Sequence, residues 1–190
     1  MRDLLRRRRA DAAAVNGAAV AATVAERFLA AVPVQPGMVV SGYWPMADEL
    51  DPRPLLRRLQ AQGAVIVLPG VAPARGTPLI FRRWDDLDAP PPPGAFRIPS
   101  PPADAPILRP DMLLVPLVGF DSRGHRLGLG GGFYDATLDL LRRQARDGGR
   151  PVRAIGLAFA IQEVQRLPDG PMDERLDWIV TERAAVAFGR

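Results

Sequence analysis

The sequence has no cysteine, no lysine and a single histidine, His125. Without cysteine there is no disulfide, no thiolate nucleophile and no thiolate-held zinc or iron–sulfur centre. One histidine excludes a multi-histidine metal site, so any metal is a hard cation held by oxygen, with magnesium the natural candidate. Without lysine, a cationic contact to phosphate must be an arginine fork and not an ammonium. The 25 basic residues, all arginine, stand against 21 acidic ones, for a formal net charge of +4. A pI near 10.7 mainly reflects arginine's own pKa and argues little for nucleic acid. No apolar run approaches the roughly 20 residues that cross a bilayer. The basic start is followed by an alanine-rich stretch broken by Asn16, Gly17 and Glu26, which is no secretory leader, so the expected place is the cytoplasm.

What is present is a globular composition, 47% hydrophobic over 190 residues, enough for one domain spanning 1–190 with a real core. Residues 4–31 read as one or two amphipathic helices, and residues 38–44 as a buried strand. Asp51-Pro52 is a helix start, with aspartate as cap and proline in the first turn. That helix carries Leu55, Leu56 and Leu59 and stops at Gly63. Further strands are expected at 64–68, closed by Pro69-Gly70, and at 79–81, 112–118, 152–160 and 178–181. Residues 136–146 read as a helix. Residues 85–110 hold the run Pro90 to Pro93 and read as an extended surface excursion. Strands alternating with helices predict an α/β fold: a three-layer, Rossmann-like single domain whose mostly parallel sheet is flanked by helices.

Arg126-Leu-Gly-Leu-Gly-Gly-Gly-Phe-Tyr-Asp135 lies between a predicted strand and a predicted helix. Gly128, Gly130, Gly131 and Gly132 let backbone amides approach an anion with no Cβ in the way. The helix N-terminus beyond adds unpaired N–H groups and partial positive charge. Arg126 offers a bidentate cation and Asp135 a carboxylate for an accompanying magnesium ion. The pattern is neither a Walker A loop nor the dinucleotide fingerprint. The competing reading is a glycine-rich turn in which Asp135 merely caps the helix. Glycine content alone leaves the two even, and the flanking Arg, Phe-Tyr and Asp favour phosphate.

This stretch resembles the hallmark of the 5-formyltetrahydrofolate cyclo-ligase family, Arg-Leu-Gly-x-Gly-x-Gly-Tyr-Tyr-Asp. Phe133 stands for the first tyrosine, and Gly131 stands where some members have lysine. Tyr43-Trp-Pro-Met-Ala-Asp-Glu-Leu-Asp51 is similar to the family's Tyr-x-Pro…Glu-Val/Ile-Asp segment. Met172-Asp173…Asp177-Trp-Ile-Val-Thr-Glu182 resembles its His-Asp…Asp…Val-Thr-Glu segment, with Met172 for histidine. Leu68-Pro, Phe81, Pro116, Phe120 and Gln162 fall in family order, so the likeness spans nearly the whole chain.

The resemblance implies ATP- and magnesium-dependent cyclisation of 5-formyltetrahydrofolate to 5,10-methenyltetrahydrofolate, with release of ADP and phosphate. In the family scheme the formyl oxygen attacks the γ-phosphate and N10 then displaces phosphate from carbon, so the nucleophile belongs to the substrate. It implies further that ATP is held by Arg2, Arg6, Arg126, Gly128, Leu129, Gly130, Gly131, Gly132, Phe133 and Tyr134, with Arg126 and Tyr134 closest to the chemistry. Asp135 and Asp173 would hold magnesium. Glu49 would meet the folate's polar edge and Trp44 the apolar wall beside it. A solvated face is equally open for Arg7, Arg8 and Arg9. His125, in an expected turn, is set aside as acid or base, Asp51 is taken as a cap, Trp84 and Trp178 as packing, and Asp177 as structural. The partners implied are folate and ATP; no nucleic acid and no membrane are expected, and the sequence leaves the oligomeric state open with a monomer favoured. The alternatives are a diverged nucleotide- or RNA-binding protein without turnover, and a sugar-phosphate or coenzyme A enzyme on a similar fold.

Overall fold

Burial along one strand sets the layers. In the computed structural model, which describes residues 1–70 and 74–189, β4 (Met112–Val115) is buried at every position. Met112 and Leu114 join one hydrophobic core, and Leu113 and Val115 another. Successive side chains leave a strand on opposite faces, so β4 is covered on both sides, as a central parallel strand must be. The first core is roofed by α1 (Arg2–Ala31) through Val24, Ala25 and Phe28, and by α2 (Arg53–Ala61) through Leu55, Leu56 and Leu59. The second is roofed by α3 (Phe133–Arg146) through Leu138 and Leu141. Each fully buried leucine contributes about 2 kcal/mol by leaving water. The result is the expected helix–sheet–helix stack.

The other strands are β1 (Val39–Ser41), β2 (Val65–Gly70), β3 (Ile80–Arg83), β7 (Arg153–Leu157), β8 (Trp178–Val180) and β9 (Ala185–Ala187). The order is β3-β2-β1-β4-β7-β8-β9, with a separate ribbon of β5 (Gly119–Phe120) and β6 (Arg126–Leu127). The five central strands run parallel, and β3 and β9 close the edges antiparallel. From β1 the chain moves outward to β2 and β3, then returns to place β4 on the other side of β1. The β1/β4 junction is therefore the topological switch point, where open α/β sheets leave a crevice beyond their carboxyl ends.

Several boundaries differ from expectation for local reasons. Pro69 and Gly70 do not end β2 but pair with Phe81 and Ile80. They lie past Val67, the last residue of β2 matched to β1, so proline's missing N–H costs no bond on that side. Asp51 Oδ1 accepts the Arg53 N–H at 2.9 Å, but α2 starts at Arg53 with Pro52 as its N-cap and no side-chain cap, so Asp51 stands one residue ahead of the cap position expected for it. The first helix is continuous except at Asn16, whose φ of −155° breaks it beside Gly17. The proline-rich excursion holds a single 3-10 turn, Ala95–Arg97. Trp84 and Trp178 pack against the first core. No helix among the described residues is long and apolar enough to cross a membrane.

Candidate active site

A cleft of about 370 Å³ opens beyond the carboxyl ends of β1 and β4. Pro116, Leu117 and Val118 form its floor, Glu49 lies on one side, and the glycine loop, residues 128–132, lies on the other. Pro116 stops β4 and frees the chain to turn into the β5/β6 ribbon, which aims Arg126 inward. The loop then bends through Gly130 (φ +92°) and Gly132 (φ +69°), backbone angles that suit glycine and strain other residues. Gly132 is the cap of α3 and lends no side chain, so the helix start has no side-chain cap. Gly131 accepts the Gly76 N–H at 2.9 Å, tying the loop to the segment ahead of β3. At its end, the Phe133 ring meets Phe96 of the proline-rich excursion, centroids 6.2 Å apart.

Arg126 is nearly buried, its side chain 5% exposed. Its Nη2 donates to Asp135 Oδ1 at 2.7 Å and its Nη1 to the Glu174 carbonyl. Burial pulls its pKa below the ordinary guanidinium value, and Asp135 opposes this. Asp135 sits at the third position of α3, where Oδ1 also accepts the Glu174 N–H at 3.1 Å. It is thus a clasp between Arg126 and the 173–177 segment and not a helix cap. Asp173 is exposed at the cleft's rim, with Oδ2 accepting the Gly170 N–H at 2.8 Å. Glu174 and Asp177 in turn meet Arg142, a buried guanidinium from α3.

Across the cleft, the Glu49 side chain is 6% exposed. Its Oε2 accepts the Met46 N–H at 3.0 Å. Burial raises its pKa and Asp48 adds to the rise, while the Met46 bond and Arg9 oppose it. Burial also pushes the Tyr134 phenol well above its usual range, with Glu49 adding to this, so it stays a neutral donor. Arg2 lies over the loop and donates from Nε to the Gly128 carbonyl at 3.0 Å.

Of the residues singled out in the sequence, Arg2, Glu49, Asp173 and residues 126–135 share this one cleft with its floor. Two do not. Arg6 is exposed and faces a neighbouring groove with Asp3, Ala10 and Asp48, because it lies one turn from Arg2 but off the buried stripe of α1. Trp44 does not line the cleft; the Arg53 guanidinium covers its ring at 4.9 Å. His125 is outside as well, with Nε2 4.0 Å from Asp169.

One residue for which the sequence left a solvated face equally open lies in the site. Arg9 is 2% exposed, lines the cleft, and binds Asp48 through two hydrogen bonds. Its signal was spacing: it lies four residues after Leu5, which is 1% exposed on the same face. Among the described residues, no group of three or more metal-capable side chains forms a closed cage. Two carboxylates in an open cleft nevertheless fit magnesium, which keeps waters and takes its other ligands from substrate phosphates.

Known proteins resemble this chain over most of its length. The model of the 5-formyltetrahydrofolate cyclo-ligase family matches residues 1–182. The Escherichia coli K12 protein named 5-formyltetrahydrofolate cyclo-ligase is 32% identical over 164 residues, 83% of this chain and 85% of that one. Its Haemophilus influenzae namesake is 29% identical over 172 residues, 88% of each. The solution structure of Aquifex aeolicus 5,10-methenyltetrahydrofolate synthetase superposes with a TM-score of 0.71 at 25% identity, covering 100% of this chain and 94% of that one. The Mycoplasma pneumoniae synthetase shares the fold, with a TM-score of 0.71 at 23% identity over 95% of this chain and 96% of that one. From the Arg2 helix to the Asp173 segment, the chain belongs to the 5-formyltetrahydrofolate cyclo-ligase family.

Proposed function

We propose that the protein closes 5-formyltetrahydrofolate to 5,10-methenyltetrahydrofolate with ATP as co-substrate, releasing ADP and phosphate. The observation that carries this reading is the pairing, in one cleft, of an anion-binding loop with a buried acceptor. The loop, the α3 N-terminus, Arg126 and Arg2 offer N–H donors and positive charge. Glu49 opposite offers two carboxylate oxygens, which suit the adjacent N–H donors of a pterin edge.

The chemistry needs no protein nucleophile, in keeping with a chain that lacks cysteine. The formyl oxygen attacks the γ-phosphorus and ADP leaves with the bond electrons. The N10 lone pair then adds to the activated carbon, the carbon–oxygen bond breaks, phosphate departs, and N10 gives up its proton to solvent. The protein's task is to hold reactants in line and stabilise phosphoryl charge. Arg126 lies against the loop as a pre-oriented fork, with Asp135 and the Glu174 carbonyl setting its direction. The Tyr134 phenol, kept protonated by burial, can donate a hydrogen bond and does not act as a base. Magnesium, held by Asp135 and Asp173, would supply charge neutralisation at the phosphates. Folate and ATP are the partners, and the cytoplasm is the compartment, of this reading.

The test is direct. Pure protein with ATP, magnesium and 5-formyltetrahydrofolate is expected to generate the near-ultraviolet absorbance of the methenyl product, one ADP for each turnover. Folded protein that binds sugar phosphates but leaves the formyl substrate unchanged would overturn the proposal.

A further inference from the structure

Arg9 belongs to a run of four arginines, 6–9, and is the buried one among them. Burying a guanidinium is costly unless each edge of its fork is paired. Here Nε and Nη2 donate to the two Asp48 oxygens at 3.0 and 2.9 Å, and Nη1 donates to the Leu117 carbonyl at 3.2 Å. That carbonyl is itself fixed, since it also accepts Gln162 Nε2 at 2.8 Å. Held on two sides, Nη1 stands 3.6 Å from Glu49 Oε1 inside the cleft.

The other groups around Glu49 do not replace it. Asp48 next to it is negative, Tyr134 from α3 and Tyr43 from the end of β1 are neutral phenols, and the Met46 N–H binds the far oxygen, Oε2. Among the described residues, Arg9 makes the one ion pair to Glu49 within 4.0 Å.

We propose that Arg9 is a positioning residue for Glu49: anchored by Asp48 and the Leu117 carbonyl, it fixes the carboxylate as a two-oxygen acceptor aimed into the cleft. The pair thereby selects a ligand edge that presents two adjacent N–H donors, as the pyrimidine side of a pterin does. This deepens the folate reading and rests on it. Asp48 acts at one further remove, because its negative charge balances the guanidinium and leaves Nη1 turned toward Glu49.

The experiment compares the wild-type protein with Arg9→Met/Asp48→Ala, Arg9→Lys and Glu49→Gln, and with the triple combination of the first and last. Thermal melts accompany KM for the formyl-folate, KM for ATP and kcat. The double variant removes both charges together and is expected to keep its fold. Its folate KM should rise about tenfold, the loss of one charge-assisted orienting contact, with the ATP KM unchanged. In the Glu49→Gln background the same two changes should leave the folate KM unaltered, because Arg9 acts through Glu49. An unchanged folate KM in the folded double variant overturns the proposal, as does an equal loss in the Glu49→Gln background. If the double variant does not fold, Arg9→Lys decides, since an ammonium keeps the charge but cannot bridge Asp48, Leu117 and Glu49 at once. A raised folate KM there supports positioning, and a wild-type folate KM leaves Arg9 a purely structural role. Absence of turnover in the wild-type protein removes the folate reading and this inference together. Normal wild-type turnover with insensitive variants removes the inference alone.

Discussion

Asp135→Asn isolates what the clasp in the cleft does. In the native protein, Asp135 Oδ1 accepts hydrogen bonds from the 5%-exposed Arg126 fork and from the Glu174 amide. Asparagine has nearly the same shape and keeps an acceptor oxygen, so both bonds survive, but to an uncharged acceptor. The loss in stability is the difference between a carboxylate and an amide oxygen as acceptor at a partly exposed position, about 1–2 kcal/mol. For a chain of this size that lowers Tm by roughly 2–8 °C. Activity should fall much further. Taking the carboxylate from a site that manages phosphoryl charge is expected to lower kcat by at least about 100-fold and to raise the magnesium concentration needed for half-maximal rate. The assay is methenyl-folate formation at saturating ATP across a magnesium titration, with circular-dichroism melts alongside. A variant that melts a few degrees lower yet keeps its rate and magnesium dependence would refute the reasoning. Asp135 would then be only a strut for Arg126.

Arg142→Leu leaves Glu174 and Asp177 without their shared guanidinium; breaking this buried set should cost about 3 kcal/mol, readable as a shifted urea midpoint. Because Glu174's main chain also holds Arg126 and Asp135, the ATP KM should rise in the same variant. Gly132→Ala forces a side chain into φ +69° at the start of α3 and should destabilise by about 1–2 kcal/mol, with a higher ATP KM in initial-rate measurements. Glu49 has a folded pKa raised by burial, so it binds its proton more tightly folded than unfolded. Its charged form therefore costs stability once pH rises through the folded pKa, and nothing below the ordinary carboxyl range near about pH 4. Glu49→Gln should accordingly melt higher than wild type at pH 7.5, and the gain should vanish in melts near pH 4.

The lower layers of this structure were legible because their causes are local. Asp51, Pro52, the Leu55–Leu56–Leu59 stripe and Gly63 contain the start, the buried face and the stop of α2 within a dozen residues. The apolar runs at 64–68 and 112–118 read as buried strands, since each is too short for a helix and too apolar for solvent, although the second strand ends at Val115 where Pro116 stops it. The antiparallel edges were not legible, because strand direction depends on where the chain returns and not on what β3 or β9 contains. Nor was the contact of Phe96 with Phe133, which needs the proline-rich excursion to fold back over 37 residues of sequence.

The site divides along the same line. The glycine loop with Arg126 and Asp135 was readable by itself, because backbone freedom, a helix start and two charges lie within ten consecutive residues. Sequence alone left that loop open between a phosphate site and a glycine-rich turn, with the flanking Arg126 and Asp135 favouring phosphate; a nucleophile supplied by the substrate was what the family resemblance implied. For the run 6–9 the spacing of Arg9 from Leu5 was only a hint, and tertiary structure decided that Arg9 faces inward and that Arg53 covers Trp44 away from the cleft. The reason is physical: a charge run has the same composition on every face of a helix. Only the arrival of Asp48 and Leu117, 39 and 108 residues further along the chain, provides partners that make burial of Arg9 tolerable.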